Sequence, residues 1–305
     1  MTAVGLPPAL TWRAGFRCAD AADGRCEVLA GTASRADRFI LVEFPTPWPH
    51  KALDAFSDDL SSALAAAVEA TSAKLLLIRR SGERSPAQRR WAVYDVKQRR
   101  SLWGDWSTEA ELGALIDAAG SAPSTHWSVD PVVLVCTHAR HDACCGVRGR
   151  PVAAALSETH RDLVWECSHV GGHRFAANLV FPLDGTYYGR VESEAVTDIV
   201  DAHLEKSKIS AEHVRGFSWM APAAQAVAVE AHQRWGPAGA DDVETASVVP
   251  IGPDRWRVEL AGRNALPASI IAEVERLTGP EAPLSCLADP TSTEAFVIRA
   301  LEASR

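Results

Sequence analysis

The chain has 305 residues, 47% of them hydrophobic and 23% charged, with a net charge of -8 and a pI near 5.7. That is enough sequence for about two packed domains, its acidic balance excludes a broad basic surface for nucleic acid, and no apolar run reaches the ~18 residues of a membrane-crossing helix. Residues 1–10 lack a charged segment followed by an apolar core, so no leader peptide is expected. The seven cysteines are odd in number and four fall between 136 and 167. A secreted disulfide framework would be denser and even; clustered thiols in a reducing, cytoplasmic setting point to metal or redox chemistry.

Along the chain, Cys18 and Cys26 read as two free thiols in a loop. Residues 38–44 form an apolar run expected to be a buried strand, stopped by Pro45, Pro47 and Pro49. Leu53, Phe56, Leu60, Leu64 and Val68 recur at helical spacing and predict one amphipathic helix over 51–70. Strands are expected at 74–79, 91–96 and 101–106, then a helix whose Thr108 and Glu111 have capping-box spacing. From 132 the order starts again. Val132–Val135 is a strand, and a helix is expected to open at Gly149-Arg150-Pro151, with proline in the first turn. Strands at 163–165 and 178–182 follow, then the Asp184-Gly185 turn of a hairpin returning through 186–191, and a helix over 193–206.

The two passes share one element order, with offsets drifting between Ile40/Val133 and Leu115/Val200. An internal duplication of a four-stranded, two-helix unit is therefore expected. In the first copy Pro45-Thr46-Pro47-Trp48 stands where the second has its cysteines, which makes that copy a structural or docking partner. An Ala-rich helix over 223–235 and a Gly/Pro linker at 236–240 lead to a small α+β appendix. It has strands at 243–249 and 255–260 and a helix at 268–277, with Cys286 a buried thiol. The expected division is 1–127, 128–236 and 237–305.

The chemistry-bearing residues are concentrated in the second copy. Cys136 and Cys145, with Thr137-His138-Ala139-Arg140-His141-Asp142-Ala143-Cys144 between them, precede His169-Val170-Gly171-Gly172-His173. Thiolates with imidazoles suit zinc, copper or iron–sulfur centres. Two adjacent glycines argue against the helical i, i+4 histidine pair of a zinc protease. Eight residues between cysteines is longer than a zinc finger or a C-x-x-C redox pair requires, and suits a loop wrapped around something larger than one ion. The mixed Cys/His motifs of a Rieske centre are absent.

Here the sequence resembles the sucrase/ferredoxin-like family. The resemblance rests on Cys136-Thr137-His138 with Arg140 and Asp142, Cys145-Gly146, the run His169 to Asn178, and Tyr187-Tyr188-Gly189-Arg190-Val191, and extends over about 18–236. It implies an α/β fold of two tandem thioredoxin-like units, the second a thioredoxin-like ferredoxin. It also implies a [2Fe–2S] cluster on Cys136, Cys145, His169 and His173, from the C-x8-C and H-x3-H pattern of one branch. Cys144 and Cys167 are alternative ligands or resolving thiols, with Cys145 favoured over Cys144 because Gly146 follows it and the spacing fits. Asp142, Arg174 and Asn178 are expected to orient the loops, and His138 and His141 to lie around the ligands or at the surface. The activity implied is one-electron transfer between a reductase and an acceptor protein. The other readings are a zinc-binding structural module and a thiol oxidoreductase using Cys144, Cys145 and Cys167. No Gly-x-Gly-x-x-Gly for a nicotinamide or flavin is present, and no carboxylate pair suggests glycoside cleavage.

Overall fold

A computed structural model describes residues 15–44, 47–81, 88–205 and 207–304. The leader-free reading of residues 1–10 and the part of the proline-rich stop at Pro45 and Thr46 lie outside these residues.

Short helix α1 (Cys18–Gly24) precedes β1 (Arg38–Glu43). Then come α2 (Asp58–Ala70), β2 (Ala73–Arg79), β3 (Arg89–Asp95), β4 (Arg100–Trp106) and α3 (Gly113–Gly120). The second pass runs β5 (Val133–Cys136), α4 (Ala143–Thr159), β6 (Val164–Cys167), β7 (Leu179–Phe181), β8 (Thr186–Tyr188) and α5 (Val196–Leu204). Next are β9 (Val214–Phe217) and α6 (Pro222–Trp235). The last four strands are β10 (Val243–Gly252), β11 (Arg255–Gly262), β12 (Ser269–Ala282) and β13 (Thr291–Ser304).

The first nine strands form one mixed sheet in the order β4-β3-β1-β2-β6-β5-β7-β8-β9. In each half a parallel pair (β1 with β2, β5 with β6) is flanked by an antiparallel hairpin (β3–β4, β7–β8). The halves meet where β2 and β6 pair antiparallel, Ile78 opposite Cys167. One sheet therefore runs through both passes of the repeat.

The sheet is folded on itself. Phe39 of β1 and Tyr187 of β8 have ring centroids 6.3 Å apart, although four strands separate them and a flat sheet would hold them about 24 Å apart at ~4.8 Å per strand. The enclosed face carries Phe39, Leu41, Leu76, Tyr94, Leu134, Cys136, Trp165, Cys167, Val180 and Tyr187 in one buried cluster. Alternation puts Val133 and Val135 on the opposite face against Val152, Ala153 and Leu156 of α4. In the first half the corresponding face, Ile40 and Val42, packs on Leu64 of α2 and Leu115 of α3.

Three expectations are corrected. The helix over 51–70 is a short 3-10 turn (Ala52–Ala55) followed by α2, because Ser57 breaks it with an extended backbone and its hydroxyl donates to Glu109 Oε2 at 2.6 Å. The helix expected to open at 149–151 begins at Ala143, and Pro151 sits inside it. The helix expected at 268–277 is strand β12. Ile270, Ala272 and Val274 point inward in alternation, and the C-terminal sheet β10-β11-β12-β13 lays this face on α6. Strand β9 had no counterpart in the sequence reading.

Candidate metal centre

Parallel strands β5 and β6 end side by side, with Cys136 in register with Cys167. Beyond β5, residues 137–142 turn the chain into α4. Asp142 is the N-cap, its Oδ1 accepting the Cys144 N–H at 2.9 Å, a local bond that satisfies one of the free amides of a first helical turn. This start brings Cys145 back over Cys136. Gly149 makes the approach possible, since a Cβ there would overlap the Cys136 carbonyl oxygen. Beyond β6 the chain makes a glycine turn, with Gly171 at φ +97 and Gly172 at φ +71, conformations that side chains disfavour.

The ligand atoms of Cys136, Cys145 and His169 all lie within 4.8 Å of one another, and those of His141, His169 and His173 form an adjoining group. Cys145 Sγ is 3.8 Å from His169 Nδ1. The Cys136 sulfur faces the Cys145 thiol and the backbone N–H groups of His138 and Val170, which together hold it below the usual thiol range despite burial. Cys145 is pushed up, because it keeps the shared proton and is itself buried. Burial, with His141 and His173 alongside, holds the His169 imidazole down to about 2. Burial likewise lowers His173, and its Nδ1 is buried with no hydrogen-bond partner among the described residues. One polarised thiol pair and neutral imidazoles, one with an orphaned nitrogen, form a donor set suited to a soft or borderline cation.

Arg215, fully buried on β9, fixes the histidine turn. Its Nη1 donates to Gly171 O at 3.0 Å and to Asn178 Oδ1 at 2.7 Å, and Asn178 Nδ2 donates to Gly172 O at 2.9 Å. Asn178 thus orients the loop as expected, whereas Arg215 was missed. Its one signal was a lone charge in the apolar run Val214-Arg215-Gly216-Phe217. Arg174 points the other way, to Glu27 Oε1 at 2.6 Å. His141 is closer in than expected, its ring stacked on His169 with centroids 3.8 Å apart. Cys167 is buried on the enclosed face and belongs to none of the ligand groups found among the described residues. Cys144, next to Cys145, turns into a separate group with Cys18, Asp142 and Cys286. Cys144, Cys145 and Cys167 are therefore not drawn into one thiol site.

The first half covers this pocket. Trp48 lies edge-on to His138 with centroids 5.7 Å apart, and His50 stacks on His141 at 4.3 Å.

Fold and pocket together define an α/β protein with a Cys/His pocket at the ends of two neighbouring parallel strands. The chain belongs to the sucrase/ferredoxin-like family, whose profile matches residues 29–216. Among curated proteins it is similar to altered inheritance of mitochondria protein 32 of Meyerozyma guilliermondii, 36% identical over 98 residues, covering 29% of this chain and 35% of that protein. The protein of the same name in Eremothecium gossypii is 32% identical over 134 residues, covering 38% and 42%. The chain thus spans less than half the length of these relatives. Among solved structures it is similar to a thioredoxin-like [2Fe–2S] ferredoxin from Aquifex aeolicus, at 22% identity and a TM-score of 0.25, covering 28% of this chain and 88% of that one. No described helix is long and apolar enough to cross a membrane.

Proposed function

We propose that this protein is a one-electron carrier whose Cys136, Cys145, His169 and His173 hold a [2Fe–2S] cluster. The observation that carries the reading is the convergence of Cys136, Cys145 and His169 within 4.8 Å, beside the unpartnered His173 Nδ1. A bound [2Fe–2S] cluster supplies a one-electron couple. The chain's own groups set its character. The N–H groups of His138 and Val170 stabilise a thiolate at Cys136. Two thiolates and two neutral imidazoles place less negative charge at the site than four thiolates, which favours the reduced state and a potential above that of an all-cysteine ferredoxin. With the cluster bound, His169 and His173 would each keep a second ring nitrogen able to lose a proton, which would link its redox couple to pH. Trp48 and His50 lie over His138 and His141 at the edge of the site. Electrons enter from a reductase and leave to an acceptor, and the net charge of -8 suits partners with a basic docking face.

The test is the midpoint potential against pH. The expected potential falls as pH rises through the range where an oxidised-state histidine loses its proton, and His173→Cys lowers it and reduces its pH dependence. A flat potential from about pH 6 to 10, unchanged by His173→Cys, rejects histidine ligation. A colourless protein with zinc at this pocket favours the structural-module reading, and a metal-free protein with a titratable disulfide favours the thiol oxidoreductase.

A further inference from the structure

Cys144 faces away from Cys145 into a second constellation that the electron-transfer reading does not use. Its members come from three distant segments: Cys18 from α1, Asp142 and Cys144 from the start of α4, and Cys286 from the connection between β12 and β13. Their ligand atoms all lie within 4.8 Å of one another, and all four residues are buried, Asp142 completely. We propose that Cys18, Cys144, Cys286 and Asp142 bind one zinc ion, distinct from the Cys136/Cys145/His169/His173 centre.

Three of the six ligand–ligand distances match the edges of a tetrahedron, and the other three lie within 4.8 Å. With Zn–S about 2.3 Å and Zn–O about 2.1 Å, a tetrahedral site has S···S edges of about 3.8 Å and S···O edges of about 3.6 Å. Cys18 and Cys144 Sγ are 3.6 Å apart, Cys144 and Cys286 Sγ 3.5 Å, and Cys18 Sγ lies 3.6 and 3.7 Å from the two Asp142 oxygens. Backbone N–H groups face two of the three sulfurs, while the Cys144 sulfur and burial raise the Cys18 thiol and burial raises Cys286. The Cys18 N–H donates to Cys286 Sγ at 3.4 Å, and the Ala19 N–H faces Cys144 Sγ. Asp142 is fixed before any ion arrives. Oδ2 accepts from the Cys286 N–H at 2.8 Å and the Ser285 hydroxyl at 3.2 Å, while Oδ1 accepts the Cys144 N–H and keeps a lone pair. Three thiols and a carboxylate in a buried pocket are a poor core but a complete closed zinc site, whose structural form takes four protein ligands. Binding forms three Zn–S bonds and one Zn–O bond, and the thiol protons leave to solvent without any change of oxidation state.

The ion joins α1, the helix that carries Cys145, and the C-terminal sheet. Asp142 also faces the other centre, its Oδ2 lying 3.8 Å from His173 Nε2. The two sites therefore share a wall.

The full-length, iron-loaded protein is equilibrated with zinc sulfate, exchanged into metal-free buffer, and analysed for zinc, iron and sulfide. One zinc per chain is expected beyond the iron. Cys18→Ser and Cys286→Ser should each retain at least tenfold less zinc with unchanged iron and sulfide. Zinc-edge X-ray absorption of the wild-type protein keeps the inference testable if a serine variant fails to fold. It should show three sulfur neighbours and one oxygen, with no imidazole scattering. No zinc retained by the wild-type protein overturns the proposal, as does a disulfide among the three thiols. An imidazole in the zinc shell, or equal zinc in folded variants, overturns it by placing the ion elsewhere.

Discussion

The ends of β1 and β5 are equivalent positions in the two halves of one sheet, yet they carry opposite chemistry. The end of β5 supplies Cys136, the first turn of α4 supplies Cys145, and the turn after β6 supplies the two histidines. After β1 the chain supplies Pro47, Trp48, Pro49 and His50, and Trp48 and His50 lie against His138 and His141 of the other half. One topology used twice thus yields a half that holds ligands and a half that covers them. The antiparallel β2–β6 junction and the inward fold of the sheet bring the two ends together.

That contrast can be broken experimentally, and the largest effect is expected in the ligand half. Cys136→Ala or Cys145→Ser should abolish iron and sulfide binding, whereas Cys144→Ser should leave both in place. Metal analysis of the three variants checks this, and equal iron in all three would contradict the division between adjacent cysteines. Next is Asp142→Ala, which removes an N-cap and leaves the buried Cys144 and Cys286 N–H groups unpaired. A loss of roughly 2–3 kcal/mol in denaturant unfolding is expected. Burial raises the Asp142 carboxyl, but the Cys286 and Cys144 N–H groups outweigh it and hold its pKa below the usual range. Its contribution is therefore present above the ordinary carboxylate pKa and fades as pH falls through the lowered folded value. On the covering half, Trp48→Ala should keep full iron content but speed bleaching in air a few-fold, read from visible absorbance with time. The smallest effect is expected for His50→Ala, whose iron content and bleaching rate should stay near wild type. If His50→Ala instead loses iron, the covering half contributes a ligand.

Much of this arrangement was legible because its signals are local. Strands β1 to β8 followed from short strand-like runs and the Asp184-Gly185 turn, and the repeat followed from their order. What escaped depended on tertiary contact. The start of α4 was hidden because Gly146, Gly149 and Pro151 resemble loop residues; Gly149 is needed for contact with the Cys136 carbonyl, which no local pattern encodes. Strand β12 resembled a helix because Ile270, Ile271, Val274 and Leu277 have helical spacing, while the small Ala272 concealed the inward alternation that pairing with β11 and β13 reveals. Cys18 and Cys286 looked like unrelated thiols because 268 residues separate them. Arg215 could be seen as an oddity in β9, but not as the clamp on a turn more than forty residues earlier.

The central claim is that Cys136, Cys145, His169 and His173 together hold one [2Fe–2S] cluster. Its most direct test is iron and acid-labile sulfide analysis of anaerobically purified full-length protein, with visible absorption and paramagnetic resonance after reduction. The account predicts one cluster's iron and sulfide per chain, a red-brown colour and a rhombic signal in the reduced state. Colourless protein free of iron after anaerobic purification and cluster reconstitution would contradict it.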